Sequence, residues 1–280
     1  MFGSEYYRHP EILIDSLKDM EEKYKKIPKN KKEGLLGFLE KIYVRIFGIP
    51  EIGFQVRSMY FRQMLWQNVK QANIGNVLDA GSGTGVYSIM LGKRYPKSQI
   101  FGWEIDDTKL KFSKAFVKEL GLKNVQFELR DITKNIYKKN RFDLIVNIDV
   151  LEHIDDYKEV LKNFYKLMNK NGYLFIHTPQ VNQKRIFGKL KDWHHAEHIH
   201  EGYSPQELRS ELNNIGFKVL DMRETFGLFG KIAWELNHML IPKGFVLVGI
   251  VYPLLYCVSS LDLLTKNDKG LGIAVLAKKL

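Results

Sequence analysis

The stretch with the clearest chemical character is an apolar run that leads into three alternating glycines, Val77-Leu78-Asp79-Ala80-Gly81-Ser82-Gly83-Thr84-Gly85. Glycine reaches positive φ without strain and has no Cβ, so a ligand can lie against the main chain at the positive end of the following helix. The spacing differs from the dinucleotide fingerprint and from the P-loop, which bind phosphates. Asp79 repels phosphate and attracts ammonium. The stretch predicts a strand, a tight loop and a helix start that bind a polar ligand.

A second carboxylate ends the next predicted strand. Glu104 lies 23 positions after Gly81, about the spacing at which an acid holds ribose hydroxyls in nucleotide-binding α/β folds. One carboxylate can accept hydrogen bonds from both the 2′ and the 3′ hydroxyl. The alternative is a solvated acid at a strand end, and Asp106 is the second candidate for the ribose.

Alternating strands and helices must position these residues. Apolar runs predict strands near 76–80, 99–104, 124–129, 142–148 and 172–178, with helical periodicity between them. This order is typical of a parallel, doubly wound sheet. Further strands at 217–223 and 272–277 complete a Rossmann-like seven-stranded α/β sheet. Loops that follow the strands then meet at one sheet edge, where open α/β sheets bind ligands.

Two motifs carry a family resemblance. Asp79-Ala80-Gly81-Ser82-Gly83-Thr84-Gly85 resembles motif I of the class I S-adenosylmethionine-dependent methyltransferases. The fourth strand and its exit, Phe142 to Ile154, resembles F-D-x-I-x-x-x-x-V-L-E-H-I of their type 11, ubiquinone-biosynthesis-like branch. The similarity spans Asn76 to Pro179 and continues more loosely through Leu220. It implies S-adenosylmethionine as the cofactor.

The resemblance also implies site residues. Asp131, at the end of the third strand, is placed to hold the adenine amino group, while the backbone of Ile132 meets the ring. The positions expected to bind the cofactor are Asp79, Gly81, Ser82, Gly83, Gly85, Glu104, Ile105, Asp131, Ile132 and Asn147. In similar enzymes, helices before motif I fold over cofactor and substrate as a lid. The expected segments are a lid at 1–70, a core at 71–223, a hydrophobic helical insertion at 224–270 and the last strand at 271–280.

A methyl group on a sulfonium is already electrophilic, so catalysis needs mainly alignment and, for a hydroxyl acceptor, a proton-accepting group. His153 ends the fourth-strand loop, and imidazole ordinarily titrates near 6.5, which suits a base at neutral pH. The alternative is that His153 only packs beneath the lid. In some similar enzymes this loop binds a divalent ion, so Asp149, Glu152 and His153 form an alternative metal set, although no metal is predicted.

Residues 193–204 hold four of the eight histidines. A zinc site is one reading, but no cysteine is near, and a similar loop lines the substrate cleft in type 11 enzymes. His198 and His200 therefore join His153 as candidate bases. Ser204, followed by Pro205 and Glu207, predicts the start of a capped helix.

The composition indicates an ordered protein with an anionic partner. The chain has 280 residues, 45% of them hydrophobic, and 43 Lys and Arg against 32 Asp and Glu, a net charge of +11. That charge favours acidic lipid or nucleic acid. Cys257 is the only cysteine, so no intrachain disulfide forms and a reducing cytoplasm fits. The first residues lack the features of a signal peptide, and a cytoplasmic location is expected.

The insertion is the unusual part. No charged residue interrupts Gly244 to Leu261, which is near the lower length limit for a bilayer span and contains Pro253. A single crossing would leave the last strand on the wrong side of the membrane. An interfacial or re-entrant helical hairpin is expected, with 226–240 as its first limb; the alternatives are burial against the N-terminal helices or a dimer interface.

These patterns predict a methyltransferase that is bound peripherally or monotopically to an anionic membrane and O-methylates a hydrophobic or lipid-like small molecule. One rival is a nucleic-acid methyltransferase, which the charge permits; the fourth-strand loop lacks the N/D-P-P-Y/F pattern that resembles amino-methylating DNA enzymes. The other rival is a cofactor-binding protein without activity. The sequence does not indicate an oligomeric state.

Overall fold

The computed structural model describes residues 51–70, 74–134, 141–190, 199–243 and 245–280. The predicted helices before residue 51 and His198 lie outside this range. The helices and strands, numbered along the described chain, are α1 (Ile52–Asn68), β1 (Asn76–Ala80), α2 (Val86–Arg94), β2 (Gln99–Glu104), α3 (Asp107–Glu119), β3 (Val125–Leu129), β4 (Phe142–Ile148), α4 (Tyr157–Leu167), β5 (Met168–Pro179), α5 (Pro205–Ile215), β6 (Phe217–Thr225), α6 (Leu228–Leu240), α7 (Phe245–Ser260) and β7 (Gly272–Lys279).

The seven strands form one sheet in the order β3-β2-β1-β4-β5-β7-β6. Strands β1 to β5 are mutually parallel, as the sequence predicts. Strand β7 runs antiparallel to both of its neighbours, so the complete sheet is mixed. The strand order reverses between β1 and β4, and the loops after these two strands meet at that point, where open sheets bind ligands.

Helices cover both faces of the sheet, since alternate residues of each strand point to opposite sides. On β1, Val77 faces a core built with α1, α2, α3 and the α6–α7 hairpin, whereas Leu78 faces a core built with α4 and α5. All the central strands are buried on both sides, which explains why they read as nearly continuous apolar runs.

Helix α1 is the described part of the predicted lid. The Glu51 side chain caps its start by accepting hydrogen bonds from the backbone N–H groups of Gly53 and Phe54. The ring of Phe61 packs edge-on against Tyr87 at the start of α2, with 5.3 Å between the ring centroids. Helix α1 therefore crosses the end of the glycine loop.

The insertion folds as the predicted helical hairpin. Helix α7 packs on α1 and α6 through Val248, Tyr252 and Leu255, which are at most 3% exposed. Among the residues that the structure describes, one stretch, Leu247–Leu264, is long and apolar enough to cross a bilayer by length and composition, and 28% of it is buried in the protein. Helix α7 therefore has one face buried against the lid helix α1 and another apolar face that is exposed.

Candidate functional site

All three glycines of the β1–α2 loop adopt positive φ, at +77°, +53° and +80°. A Cβ on Gly81 would lie 2.6 Å from Val150 Cγ2, and one on Gly85 would lie 2.5 Å from Phe127 Cζ. Packing inside the protein therefore requires these two glycines. A Cβ on Gly83 would meet no atom within 4 Å. Gly83 is thus the glycine that leaves main chain open to a ligand.

Glu104 is buried directly beside this opening. One carboxylate oxygen, Oε2, accepts a hydrogen bond from the Gly83 N–H at 2.7 Å. The other, Oε1, accepts from the N–H groups of Ile105 and Asp106 at 2.9 and 3.0 Å. A carboxylate has about four acceptor positions, so this geometry leaves room for a ligand hydroxyl on Oε2. The predicted ribose contact fits the position of Glu104.

We expect Glu104→Ala to weaken the binding of S-adenosylhomocysteine by roughly 1.5–3 kcal/mol, the value for hydrogen bonds to a charged group. The variant removes the ribose acceptor and the partner of the Gly83 N–H together. Calorimetric titration measures the effect, and Glu128→Ala, one strand away, is the matched control. Unchanged affinity in a folded Glu104→Ala protein would remove the ribose assignment.

Asp79 lies beneath the loop and is only 2% exposed. Its Oδ2 accepts a hydrogen bond from the Ser88 hydroxyl at 2.6 Å. The pKa of Asp79 is raised to about 6: burial is the largest cause, the hydrogen bonds from Ser88 oppose it, and the nearby charge of Glu104 adds to it. Without a ligand, this carboxyl therefore gains its charge only as the pH rises through about 6.

That titration predicts pH-dependent cofactor binding. An ammonium group binds the ionised carboxylate, so the affinity for S-adenosylhomocysteine should fall by up to about tenfold per pH unit below 6 and level off above it. Calorimetry between about pH 5 and 7 avoids titration of the ligand's amino group. Asp79→Asn should abolish the dependence, whereas Ser88→Ala should only shift its midpoint upward. A wild-type affinity independent of pH would contradict the ammonium contact.

At the end of β3, Asp131 makes a local turn. Its Oδ1 accepts from the Thr133 hydroxyl at 2.6 Å and from the Thr133 N–H at 3.0 Å. The Thr133 side chain is the main cause of the lowered pKa of Asp131. Ile132 packs in the core, and Ile105 is 69% exposed beside Glu104. Ile105 therefore offers apolar surface to an aromatic ring, and the adenine contacts of Asp131 and Ile132 remain predictions.

Two buried polar atoms near the loop suit a ligand rich in hydrogen-bonding groups. Asn147, at the end of β4, is fully buried and donates from Nδ2 to the Ala80 carbonyl at 2.8 Å. In the described part of the chain, neither Asn147 Oδ1 nor Ser82 Oγ has a hydrogen-bond partner. Buried polar atoms are normally paired. The residues therefore fit S-adenosylmethionine, and the cofactor contacts of Ser82 and Asn147 stay predictions.

A polar chain links the lid helix to the sheet edge. Asp149, at φ +52°, accepts from Arg57 of α1 at 3.1 Å through Oδ2 and contacts His177 Nδ1 at 2.5 Å through Oδ1. His177 Nε2 contacts the Thr225 hydroxyl at 2.9 Å. The sequence predicts no role for Arg57 or His177. His177 follows the rule that identified Glu104, because it is a polar residue at the end of a buried strand.

The predicted bases have different surroundings. His153 is exposed at the end of the β4 loop. The Nε2 of His200 faces the carbonyl oxygens of Ile154 and Asp155, both at 3.1 Å, so this nitrogen carries the proton and donates. Only Nδ1 of His200 can then accept a proton. The structure brings His153 and His200 to the same loop region.

The alternative metal set is not assembled in the described part of the chain, where no group of three or more His, Cys, Asp or Glu residues could hold an ion. Asp149 contacts Arg57 and His177, while Glu152 is fully buried with Oε2 near the Thr178 hydroxyl. Burial, and then the charge of Asp149, raise the pKa of Glu152 well above its usual range. A divalent ion would need the ionised form of both acids.

Comparison with known proteins identifies the family. A family model described as a methyltransferase domain matches residues 20–222. The chain is 27% identical over 179 residues to a ubiquinone biosynthesis O-methyltransferase of Coxiella burnetii, covering 60% of this chain and 71% of that protein. It is 31% identical over 109 residues to a demethylmenaquinone methyltransferase of Listeria welshimeri, covering 38% and 46%.

A solved structure shares the fold. Geranyl diphosphate C-methyltransferase from Streptomyces coelicolor, bound to S-adenosylhomocysteine, matches with a TM-score of 0.57 and 13% identity, covering 79% of this chain and 77% of that one. The sheet order, the glycine loop and the matched domain agree on the cofactor and on the reaction class. The chain belongs to the methyltransferase-domain family and is a class I S-adenosylmethionine-dependent methyltransferase of the ubiquinone-biosynthesis-like type.

Proposed function

We propose that this enzyme methylates an oxygen of a hydrophobic or lipid-like small molecule at the cytoplasmic face of a membrane. The observation that carries the proposal is the exposed stripe of α7 and the turn after it, which consists of Leu247, Ile250, Leu254, Leu261 and Leu264 at 37–83% exposure. Within α7, spacings of three and four residues place Leu247, Ile250 and Leu254 on one side of the helix, opposite the buried residues, and Leu261 and Leu264 follow in the turn. Single exposed apolar residues are ordinary, whereas a contiguous stripe indicates an interaction surface.

The position of the stripe supports a membrane-derived acceptor. Helix α7 packs directly on α1, and α1 contacts the β4 loop through Arg57 and Asp149. An acceptor dissolved in the bilayer would therefore have a short path to the sheet edge. The two relatives named above support a quinone-like, hydrophobic acceptor, because one is named for ubiquinone and the other for demethylmenaquinone.

Charge favours anionic lipid. Lys243, Lys266 and Lys269 are exposed near the ends of the hairpin segment, and each basic residue near an acidic surface contributes about 1 kcal/mol. Lys231, in the first turn of α6 and thus also at a flank of the hairpin, turns inward and donates to the Lys269 carbonyl at 2.9 Å. Three of the four flanking lysines can thus face lipid headgroups.

Methyl transfer requires few catalytic groups from the protein. S-adenosylmethionine supplies an electrophilic methyl group when bound, and the chain must hold the acceptor oxygen in line with it. The acceptor's hydroxyl proton passes to the His153 imidazole as its oxygen forms the new bond. Arg57, Asp149 and His177 hold the lid helix and the β4 loop together around this step.

Transfer of radiolabelled methyl groups tests the function. The full chain is incubated with labelled S-adenosylmethionine and either a lipid extract, RNA or DNA, with Glu104→Ala as the cofactor-deficient control. We expect label in the lipid extract alone, in a base-stable ether. Label in nucleic acid would favour the rival enzyme class that the charge permits. No transfer to any extract would favour a cofactor-binding protein without activity.

A further inference from the structure

An open groove of about 450 Å³ lies between α1 and α7 and is lined mainly by apolar surface. Met59 and Trp66 line it from α1, and Tyr256 and Leu263 line it from the hairpin side. Its volume falls in the range of small-molecule sites, which combine apolar walls with a few polar groups. Nothing in the methyl-transfer reaction uses this groove.

The groove lies on the opposite side of α1 from the glycine loop. Phe54 and Phe61 pack against Tyr87 of α2, at centroid distances of 5.6 and 5.3 Å. Met59 and Trp66 are seven residues apart and therefore share a helix face, about half a turn away from Phe61. A molecule in the groove would consequently be separated from the cofactor site by the body of the lid helix, so the occupant differs from the methyl acceptor.

The rim of the groove is cationic. Arg62 lines it, and the guanidinium of Arg94 lies over the Trp66 ring, 5.5 Å from its centroid. Across the ranges that the structure describes, neither arginine forms an ion pair with a carboxylate. Guanidinium groups bind phosphate with two parallel hydrogen bonds, and Trp favours the boundary between headgroups and acyl chains.

The groove is also continuous with the exposed stripe of α7. Along this helix the face with Tyr256 and Ser260 lies between the buried face and the stripe that includes Leu254 and Leu261. If the stripe contacts a bilayer, as the proposed function requires, the groove opens at the level of the lipid headgroups. One side then offers an apolar channel and the other offers two arginines.

From this arrangement we propose that the α1–α7 groove binds one phospholipid of the membrane, with its acyl chain along Met59 and Leu263 and its phosphate at Arg62 and Arg94. The inference rests on the proposed membrane association but adds a specific lipid site on the back of the lid helix. The occupant is an anionic phospholipid, because two guanidinium groups favour a headgroup with a net negative charge.

The test uses a monomeric lipid, so that a membrane surface is absent. Lauroyl lysophosphatidylglycerol below its critical micelle concentration is titrated into the full chain and followed by calorimetry. We expect one lipid per chain, and weaker binding of the lysophosphatidylcholine with the same acyl chain. Arg62→Gln/Arg94→Gln should weaken binding by up to roughly 30-fold, from up to about 1 kcal/mol for each solvent-exposed ion pair. Lys114→Gln/Lys118→Gln, on exposed positions of α3, is the matched control and should leave binding unchanged.

A blocking variant tests the acyl-chain path. Ser260→Phe places a ring in the groove and should abolish lipid binding, while S-adenosylhomocysteine affinity remains as the check that the protein is folded. If the monomeric lipid does not bind the wild type, or binds Ser260→Phe and the arginine variant as tightly as the wild type, the groove is not a lipid site. Retained binding of the wild type to vesicles in that case leaves the proposed function intact, whereas loss of vesicle binding would refute the proposed function separately.

Discussion

His153→Ala is expected to lower turnover by about 10²–10⁴, the usual contribution of a general base, and to leave the affinity for S-adenosylhomocysteine unchanged. The imidazole is exposed at the end of the β4 loop, and that loop follows the strand whose Asn147 lies against the glycine loop. The glycine loop is shaped by hydrogen bonds from the Gly81 and Ser82 N–H groups to the Trp103 carbonyl and from the Gly83 N–H to Glu104. Steady-state turnover and calorimetry on the same preparation separate the two effects.

The other predicted bases serve as comparisons. His200→Ala should lower turnover less than His153→Ala, because its Nε2 donates to the carbonyl groups of Ile154 and Asp155. Removal of these hydrogen bonds should also lower the melting temperature of the protein. His198→Ala completes the set. If all three variants keep wild-type turnover at neutral pH, none of these histidines is the base, and the acceptor must lose its proton without one, as an already acidic carbon or phenol would.

The sheet and the cofactor loop were predictable because their signals are local. Five of the seven residues of strand β4 are apolar, and three glycines at alternate positions already indicate a loop with positive φ. Glu104 was predictable because an acid at a strand end and a fixed distance after the glycines is a one-dimensional pattern. The strands and the glycine loop lie where the sequence places them, to within a few residues at the strand ends, and Glu104 ends β2. Its contact with the ribose stays a prediction.

Contacts between distant segments could not be predicted in the same way. The hydrogen-bonded chain from Arg57 through Asp149 and His177 to Thr225 joins the lid helix, the β4 loop, strand β5 and the edge strand β6. No spacing rule relates residues separated by up to 168 positions along the sequence. The antiparallel direction of β7 could not be predicted either. An apolar strand has the same sequence pattern whether its neighbours run parallel or antiparallel to it.

The faces of the inserted helix α7 also could not be predicted from the sequence. Its apolar run predicts a helix, but the sequence alone does not divide that helix into faces, because nearly every residue is apolar. The structure buries Val248 and Leu255 against the lid side and exposes Ile250 at 72% and Leu254 at 65%. A polar substitution at Val248 would therefore test folding, whereas substitutions at the two exposed positions test what the stripe contacts.

Ile250→Asp/Leu254→Asp is accordingly expected to abolish vesicle binding while the protein stays folded. Transfer of each side chain from water to an apolar phase is worth about 1.5–3 kcal/mol, so losing both lowers the partition constant on the order of 10²–10⁴ before the cost of two inserted carboxylates. Flotation with phosphatidylglycerol vesicles measures this, and binding of S-adenosylhomocysteine confirms folding. Wild-type flotation should survive moderate salt, because the lysines contribute only part of the binding energy.

The matched control is Leu220→Asp/Leu280→Asp, which makes the same charge change at positions 41% and 65% exposed but away from α7. It should float like the wild type, since generic negative charge alone does not remove the stripe. Equal flotation of the control and the α7 variant would mean that the stripe does not contact lipid. Absence of flotation by the wild type would mean that the stripe is an interface with protein. That result would also contradict the proposal that the methyl acceptor comes from the membrane.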